Sequence, residues 1–370
     1  MDFDAIKQGY LADSELQKVS GSLVKHPEDK WHFKSLVGSA AGFCCYSIFH
    51  NTELPQLVVL NDKEEAAYFL NDLEQMAGHK DVLFYPGSYR RPYQIEETDN
   101  ANVRLRAEVL NKLSGTKKPR IVVSYPEALF EKVITKKVLS KHTLAVKHGD
   151  QLGIDFLNET LFEYHFERVD FVSEPGQFSV RGGIVDVYSF SNENPYRIEF
   201  FGDEVDSIRT FDIESQRSIA QIKRLTIVPH VERKVAHEQR ELFLSYLPKD
   251  TIIWNRSVAF CKDRLDEQFE KAVQQFSKLD GEIKHSEPED LFASGQEFVD
   301  CLPQFRCIEF GSKVHFSQAQ TLSFDTQPQP AFNKQFELLT KDLKGYQLKG
   351  YENAIVCSNP KQVERFYAIF

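Results

Sequence analysis

The chain is poor in methionine and tryptophan, with two of each, and it has no run of about 18 apolar residues. The last absence excludes a membrane-spanning helix. The opening stretch, MDFDAIKQGYLADSELQK, is polar and acidic and lacks an apolar signal core, so export by that route is not expected. The six cysteines (Cys44, Cys45, Cys261, Cys301, Cys307 and Cys357) include no C-x-x-C pair, which argues against a zinc ribbon. Cys44 and Cys45 are adjacent and cannot readily bridge each other. Buried free thiols in a reducing cytoplasm are expected instead. The 11 histidines form no metal-spaced pair, and no G-x-S-x-G, H-E-x-x-H or kinase signature is present. A basic excess is also missing: 45 Lys and Arg face 55 Asp and Glu, a net charge of −10. That balance argues against autonomous duplex binding, although a local basic patch can still exist.

What is present is an ordinary globular composition, 41% hydrophobic and 27% charged over 370 residues, enough for two to three domains. The 30 phenylalanines predict Phe-rich cores. Residues 1–30 read as polar helix and linker. Leu57–Leu60 is a short apolar run of the kind a buried parallel strand shows, and Asn61 and Asp62 can cap the helix that follows. Ala66, Phe69, Leu70 and Leu73 fall on one face of that helix. DVLFYPG then reads as strand and turn, NVRLRAEVLNKL as an amphipathic helix, and PRIVVSYPEALFEKVI as strand, loop and helix. This alternation predicts a parallel α/β sheet. Strands then follow one another through RVDFVSEPG, QFSVRGGIVDVYSF and YRIEFFGDEVDSIRTFD, punctuated by Pro175-Gly176 and Gly182-Gly183, which predicts a mostly antiparallel β-rich insert. A mixed α/β stretch follows, with a helix over VAFCKDRLDEQFEKAVQQFSKL and strands over CIEFGSK and VHFSQ. TQPQPAFNKQ reads as a linker, and NAIVCSNPKQVERFYAIF as a further strand–helix unit. The expected organisation is an α/β domain over 1–130, the β-rich insert over 131–229, the second part of the α/β domain over 230–325, and a linker with the truncated start of a third α/β domain over 326–370.

Several stretches bear on chemistry. LVGSAAG precedes a helix near the start of the α/β sheet, where a phosphate loop G-x-x-x-x-G-K-[ST] would lie. In that frame the first glycine is Ser35, the lysine position is Ala41 and the hydroxyl position is Gly42. Gly38 and Ser39 stand between them. Without the lysine and the hydroxyl the loop lacks the groups that hold phosphate and Mg²⁺. A tight turn for helix–sheet packing is the main reading, with residual nucleotide binding as the alternative. Asp203-Glu204 follows a glycine in a turn, not a strand end, and reads as surface. Lys112–Lys147 holds nine basic residues against Glu127 and Glu131, either a phosphate-contacting stripe or a solvated face. Tyr85, Tyr89, Arg90, Arg91 and Tyr93 interleave aromatics and cations, either to stack on bases or as a loop packed on its own domain. Arg168 and Arg181 flank SEPGQFSV on two strands that could share a face. They suit carboxylate capture at an interface, or else pair locally with Glu167 or Asp186.

The block GQFSVRGGIVDVYSF…YRIEFFGDEVDSIRTFDIESQRS, from Phe178 to Ser218, resembles the segment shared by UvrB and the bacterial transcription-repair coupling factors (Mfd). The flanking elements from about residue 31 to 231 fit as well, and agreement weakens beyond. UvrB is a helicase-like enzyme with an intact phosphate loop and a Tyr-rich hairpin that clamps DNA. Here the loop is degenerate and the run from Tyr85 to Leu110 leaves no room for that hairpin. Those departures are similar to the N-terminal, UvrB-like module of Mfd. The resemblance implies a split, degenerate UvrB/helicase-like α/β domain carrying an inserted β-rich domain that recruits UvrA. Arg168 and Arg181 match the two arginines of the UvrA-binding surface, and Phe178 and Ser179 belong to the same expected surface. A basic position of UvrB is Ser179 here, which implies a reshaped contact. The resemblance further implies that the fragment is non-catalytic and holds no cofactor. The ATP- and Mg-dependent double-stranded DNA translocase motor and the RNA-polymerase-binding domain would lie in the full-length protein, whose C-terminal region masks the UvrA surface. A divergent UvrB-like ATPase and DNA-binding helicase subunit is the alternative.

Overall fold

The computed structural model describes residues 3–88, 93, 100–115, 118–229, 239–278, 286–333 and 335–369. Where a polar helix and linker were expected, the chain begins with two helices, α1 (Phe3–Ala12) and α2 (Ser14–Lys25). Asp13 caps α2 by accepting from the Glu15 and Leu16 amides, and Leu16, Val19 and Leu23 are buried at helical spacing. Then come β1 (Lys30–Lys34), α3 (Ala40–Thr52), β2 (Gln56–Val59), α4 (Lys63–Ala77), β3 (Val82–Phe84), α5 (Asn100–Gly115), β4 (Ile121–Ser124) and the single turn α6 (Pro126–Leu129). Asp62 caps α4 through the Glu65 amide at 2.8 Å. The longer helix expected after Tyr125 is cut short, because Val133–Ile134 goes into a strand, β5.

The sheet is completed from far along the chain. After the insert, β15 (Ile252–Asn255), α10 (Val258–Phe276), α11 (Pro288–Leu291), α12 (Gly295–Cys301), β16 (Arg306–Glu309) and β17 (Gln320–Ser323) return to it. The seven strands lie in the order β17-β1-β16-β15-β2-β4-β3 and every pairing is parallel. β2, β4, β15 and β16 are buried along their whole length, as central strands of a parallel sheet covered on both faces are, and they take Gln56, Ser124, Asn255, Arg306 and Glu309 into the interior with them. The last strand falls at Gln320–Ser323 and not over VHFSQ.

Between α6 and β15 the chain builds the expected β-rich part. It contains β5 (Val133–Ile134), α7 (Lys136–Lys141), β6 (Leu144–Lys147), α8 (Ile154–Glu163), β7 (Glu167–Arg168), β8 (Gln177–Arg181), β9 (Ile184–Val187), β10 (Tyr196–Phe201), β11 (Glu204–Phe211), β12 (Ser218–Gln221), β13 (Arg224–Ile227), β14 (Arg240–Glu241) and α9 (Phe243–Tyr246). β7 to β12 form one sheet in sequence order, antiparallel except for the β7–β8 pair. The β5–β14 and β6–β13 ladders bring the two ends of the excursion side by side. The protein is thus a parallel α/β sheet plus a separate, mostly antiparallel sheet inserted between its strands.

Beyond the sheet, α13 (Phe336–Leu348) and α14 (Pro360–Ile369) bury no residue, and the strand expected over NAIVCS is absent. Among the described residues no neighbouring strand offers that segment a ladder, and Val356 is 94% exposed. No helix of the described residues is long and apolar enough to cross a membrane.

A candidate protein-docking face on the inserted sheet

Side chains alternate across the inserted sheet. On one face Phe178, Val185 and Ile198 are fully buried and belong to the main core, where Phe178 meets Phe162 edge to face at 5.2 Å. The other face carries charge. Asp186, only 1% exposed, accepts from Arg197 through Nε at 2.7 Å and Nη2 at 2.9 Å, and also from Nη2 of Arg181. The fork-on-carboxylate geometry to Arg197 is the strong form of this bond. One strand further, Glu199 accepts from Ser207 Oγ at 2.6 Å and from Arg209. The Ser207 hydroxyl, aided by the Arg209 charge, holds the Glu199 carboxyl below its ordinary value. The local ion pair weighed for Arg181 therefore exists, yet the side chain is still 40% exposed. Its guanidinium lies 5.3 Å from the ring of Phe171, itself 66% exposed.

The loop that carries Phe171 is held from several sides. Ser179 Oγ donates to the Asp170 carbonyl at 3.0 Å, and the Gln177 side chain accepts from the Ser173 and Glu174 amides. Gly176 closes the Pro175-Gly176 turn with φ +90, and a Cβ there would lie 2.9 Å from Phe190. A larger residue would break the turn.

These contacts correct several expectations. Arg168 and Arg181 were expected on strands that could share a face, but β7 runs parallel to β8 and Arg168 pairs with Phe178, three residues from Arg181. Alternation then assigns the two arginines to opposite faces, with Arg168 exposed on the edge strand and without an ion-pair partner among the described residues. Phe178 and Ser179 were expected in a binding surface; both are buried, the first as core and the second as the anchor of the Phe171 loop. Phe171 itself was missed. Its only sequence signal is an apolar residue inside a polar connection.

The degenerate phosphate loop lies between β1 and α3. Ser35 and Gly38 have φ +66 and +58, and Ser39 makes no side-chain cap. Ala41 and Gly42 are buried against the protein; a Cβ on Gly42 would sit 3.3 Å from Met76 Cε and 3.6 Å from Asp72 Cβ. The loop is also tied by the strap that follows β17. Phe324 N donates to the Lys34 carbonyl, Val37 N donates to Thr326 Oγ1 at 3.1 Å, and that hydroxyl donates to the Ser35 carbonyl.

The basic stripe is only partly neutralised among the described residues: Lys136, Lys137, Lys141 and Lys147 are exposed without an ion pair. Lys112 pairs with Glu108, Lys118 with Asp81 and Lys132 with Glu297. Tyr85 is fully buried and stacks on Phe243 at 4.0 Å, while Tyr93 packs on Phe276 and Phe292. Tyr89, Arg90, Arg91 and Lys117 lie outside the described residues.

The fold and the charged face define an α/β protein with an antiparallel sheet spliced into it, and residues 144–232 match the UvrB interaction domain family. Its relatives are transcription-repair-coupling factors. That of Bacillus subtilis is 32% identical over 205 residues, covering 55% of this chain and 17% of the relative. That of Haemophilus influenzae is 26% identical, covering 75% and 23%. That of Staphylococcus epidermidis is 25% identical, covering 85% and 32%. The chain therefore resembles the N-terminal, UvrB-like module of Mfd, as the Phe178–Ser218 block implies. It spans less than a third of the length of the relatives it matches.

Proposed function

We propose that this chain is the recruitment module of a transcription-repair coupling factor, and that the charged face around Arg181 docks UvrA during nucleotide excision repair. The single observation that carries this reading is a half-exposed arginine, held in place by a buried aspartate, inside a matched UvrB interaction domain. Arg168 on the edge strand extends the contact around the rim of the sheet. The module itself turns over no nucleotide and holds no cofactor. In support, the lysine and hydroxyl of a working phosphate loop are replaced by Ala41 and Gly42, and Thr326 occupies the Val37 amide that a phosphate would need. These same contacts weigh against the rival reading, a divergent UvrB-like ATPase that binds DNA.

Within the full-length protein the module works beside an ATP- and Mg-driven double-stranded DNA translocase, which displaces lesion-stalled RNA polymerase in the cytoplasm. The C-terminal region masks the docking face until polymerase is engaged. A calorimetric titration with UvrA tests the central step. Wild type binds, while Arg181→Ala and Arg168→Glu lose about 2–5 kcal/mol of affinity, the usual loss when one partner of a desolvated charge contact is truncated. Equal binding by folded Arg181→Ala would refute the placement of the site.

A further inference from the structure

Within the docking face, Arg181 uses one of its five donors on Asp186, through Nη2. Its other donors meet no acceptor among the described residues. Asp186 is shared between two arginines, so it balances only one of them. Beside Arg181 stands an exposed phenylalanine. A 66% exposed ring costs solvation and adds nothing to the core, yet Phe171 is not left loose. Its loop is pinned by Ser179 Oγ on Asp170 and by the Gln177 side chain on two amides. A pre-set aromatic ring against a part-satisfied arginine is the pairing found at interface hot spots.

We infer that Phe171, presented by the Ser179–Asp170 hydrogen bond and stacked on Arg181, is the apolar anchor and specificity determinant of this face. The matching surface on the partner offers a carboxylate to the free edge of the Arg181 guanidinium, with an apolar recess for the ring. Position 179 holds a small buried hydroxyl that closes the loop on the Asp170 carbonyl. Arginine at 179 would not add a useful charge. Position 179 is 2% exposed, and the longer side chain has to expel the loop and Phe171 with it.

This inference rests on the UvrA reading, and the test separates the two. Affinity for purified UvrA is measured for wild type, Arg181→Ala, Phe171→Ala, Phe171→Tyr, Ser179→Ala and Ser179→Arg, each checked for a cooperative melting transition. Phe171→Ala weakens binding about tenfold or more, a hot-spot loss, and Phe171→Tyr restores it to within about twofold. Ser179→Ala gives a smaller loss, and Ser179→Arg weakens binding although it adds a cation. Phe171→Ala combined with Arg181→Ala costs less than the sum of the two, since they form one contact. If wild type and Phe171→Ala bind alike while Arg181→Ala does not, the anchor is wrong and the docking reading stands. A gain of affinity in folded Ser179→Arg would also overturn it. If wild type does not bind at all, both fall together. Should Ser179→Arg fail to fold, Phe171→Ala and Phe171→Tyr still decide the matter.

Discussion

Arg181 and Arg197 share the carboxylate of Asp186, and removing them should have opposite consequences. Arg197 holds Asp186 with two bonds, is 17% exposed on its side chain and lies 4.6 Å from the Phe211 ring. Replacing it by alanine leaves a carboxylate only 1% exposed with a single, partly exposed partner. Breaking a buried pair costs about 3–5 kcal/mol, and the partial exposure of Arg197 brings the expected loss to about 2–4 kcal/mol. Arg181 is 40% exposed and gives Asp186 one bond, so Arg181→Ala should cost ~0–1 kcal/mol, as exposed pairs do. The assay has to see the inserted sheet. Both tryptophans, Trp31 and Trp254, lie in the parallel sheet, so intrinsic fluorescence reports the wrong domain. Hydrogen exchange of the β8–β10 amides reads the right one. Arg197→Ala should speed exchange there by about 30- to 1,000-fold at 1.36 kcal/mol per decade, and Arg181→Ala by less than about sixfold. Equal acceleration by the two variants would refute the division of labour, and with it the claim that Arg181 is spared for a partner.

Three further outcomes follow from the same contacts. Restoring the phosphate-loop residues with Ala41→Lys and Gly42→Ser should not create ATP binding, because Ser35 still stands in place of the first glycine and Thr326 takes the Val37 amide and the Ser35 carbonyl; equilibrium dialysis with labelled ATP checks it, and saturable binding would revive the ATPase reading. Glu199 has a lowered pKa in the folded state, so its contribution is fully present above the unfolded value of about 4.5 and is lost as pH falls through the folded one. From pH 5 to 3, wild type should therefore lose more stability of the inserted sheet than Glu199→Gln, and parallel curves by exchange would count against this. Burial raises the thiol pKa of Cys44, Cys45, Cys261 and Cys307, the last to about 12. With a thiol reagent at pH 8, Cys357 should react fastest in the native protein, Cys301, whose thiol pKa burial also raises, more slowly, and these four only after unfolding.

Much of this was written in local sequence. Strands buried on both faces tend to be apolar runs, so QLVV and IVVS announce a parallel sheet without knowing their neighbours, while the buried RCIE of β16 does not. The hairpins of the insert are likewise local, set by Gly182-Gly183 and Gly202-Asp203. The loss of lysine and hydroxyl at 41 and 42 is visible in one line of residues. What local pattern cannot carry is register and long-range closure. Whether Arg168 and Arg181 share a face depends on a parallel pairing offset by ten residues, and a shift of one would reverse it. The burial of Phe178 and Ser179, the loop that sets Phe171 on Arg181, and the Thr326 hydroxyl reaching Val37 across 289 residues exist only once the sheets are assembled. Sequence by itself determined the kind of elements and the chemistry absent from them, because propensity and periodicity act between near neighbours. Which arginine stands free for a partner was decided by tertiary structure, because strand register and a buried carboxylate fix where each charge is spent.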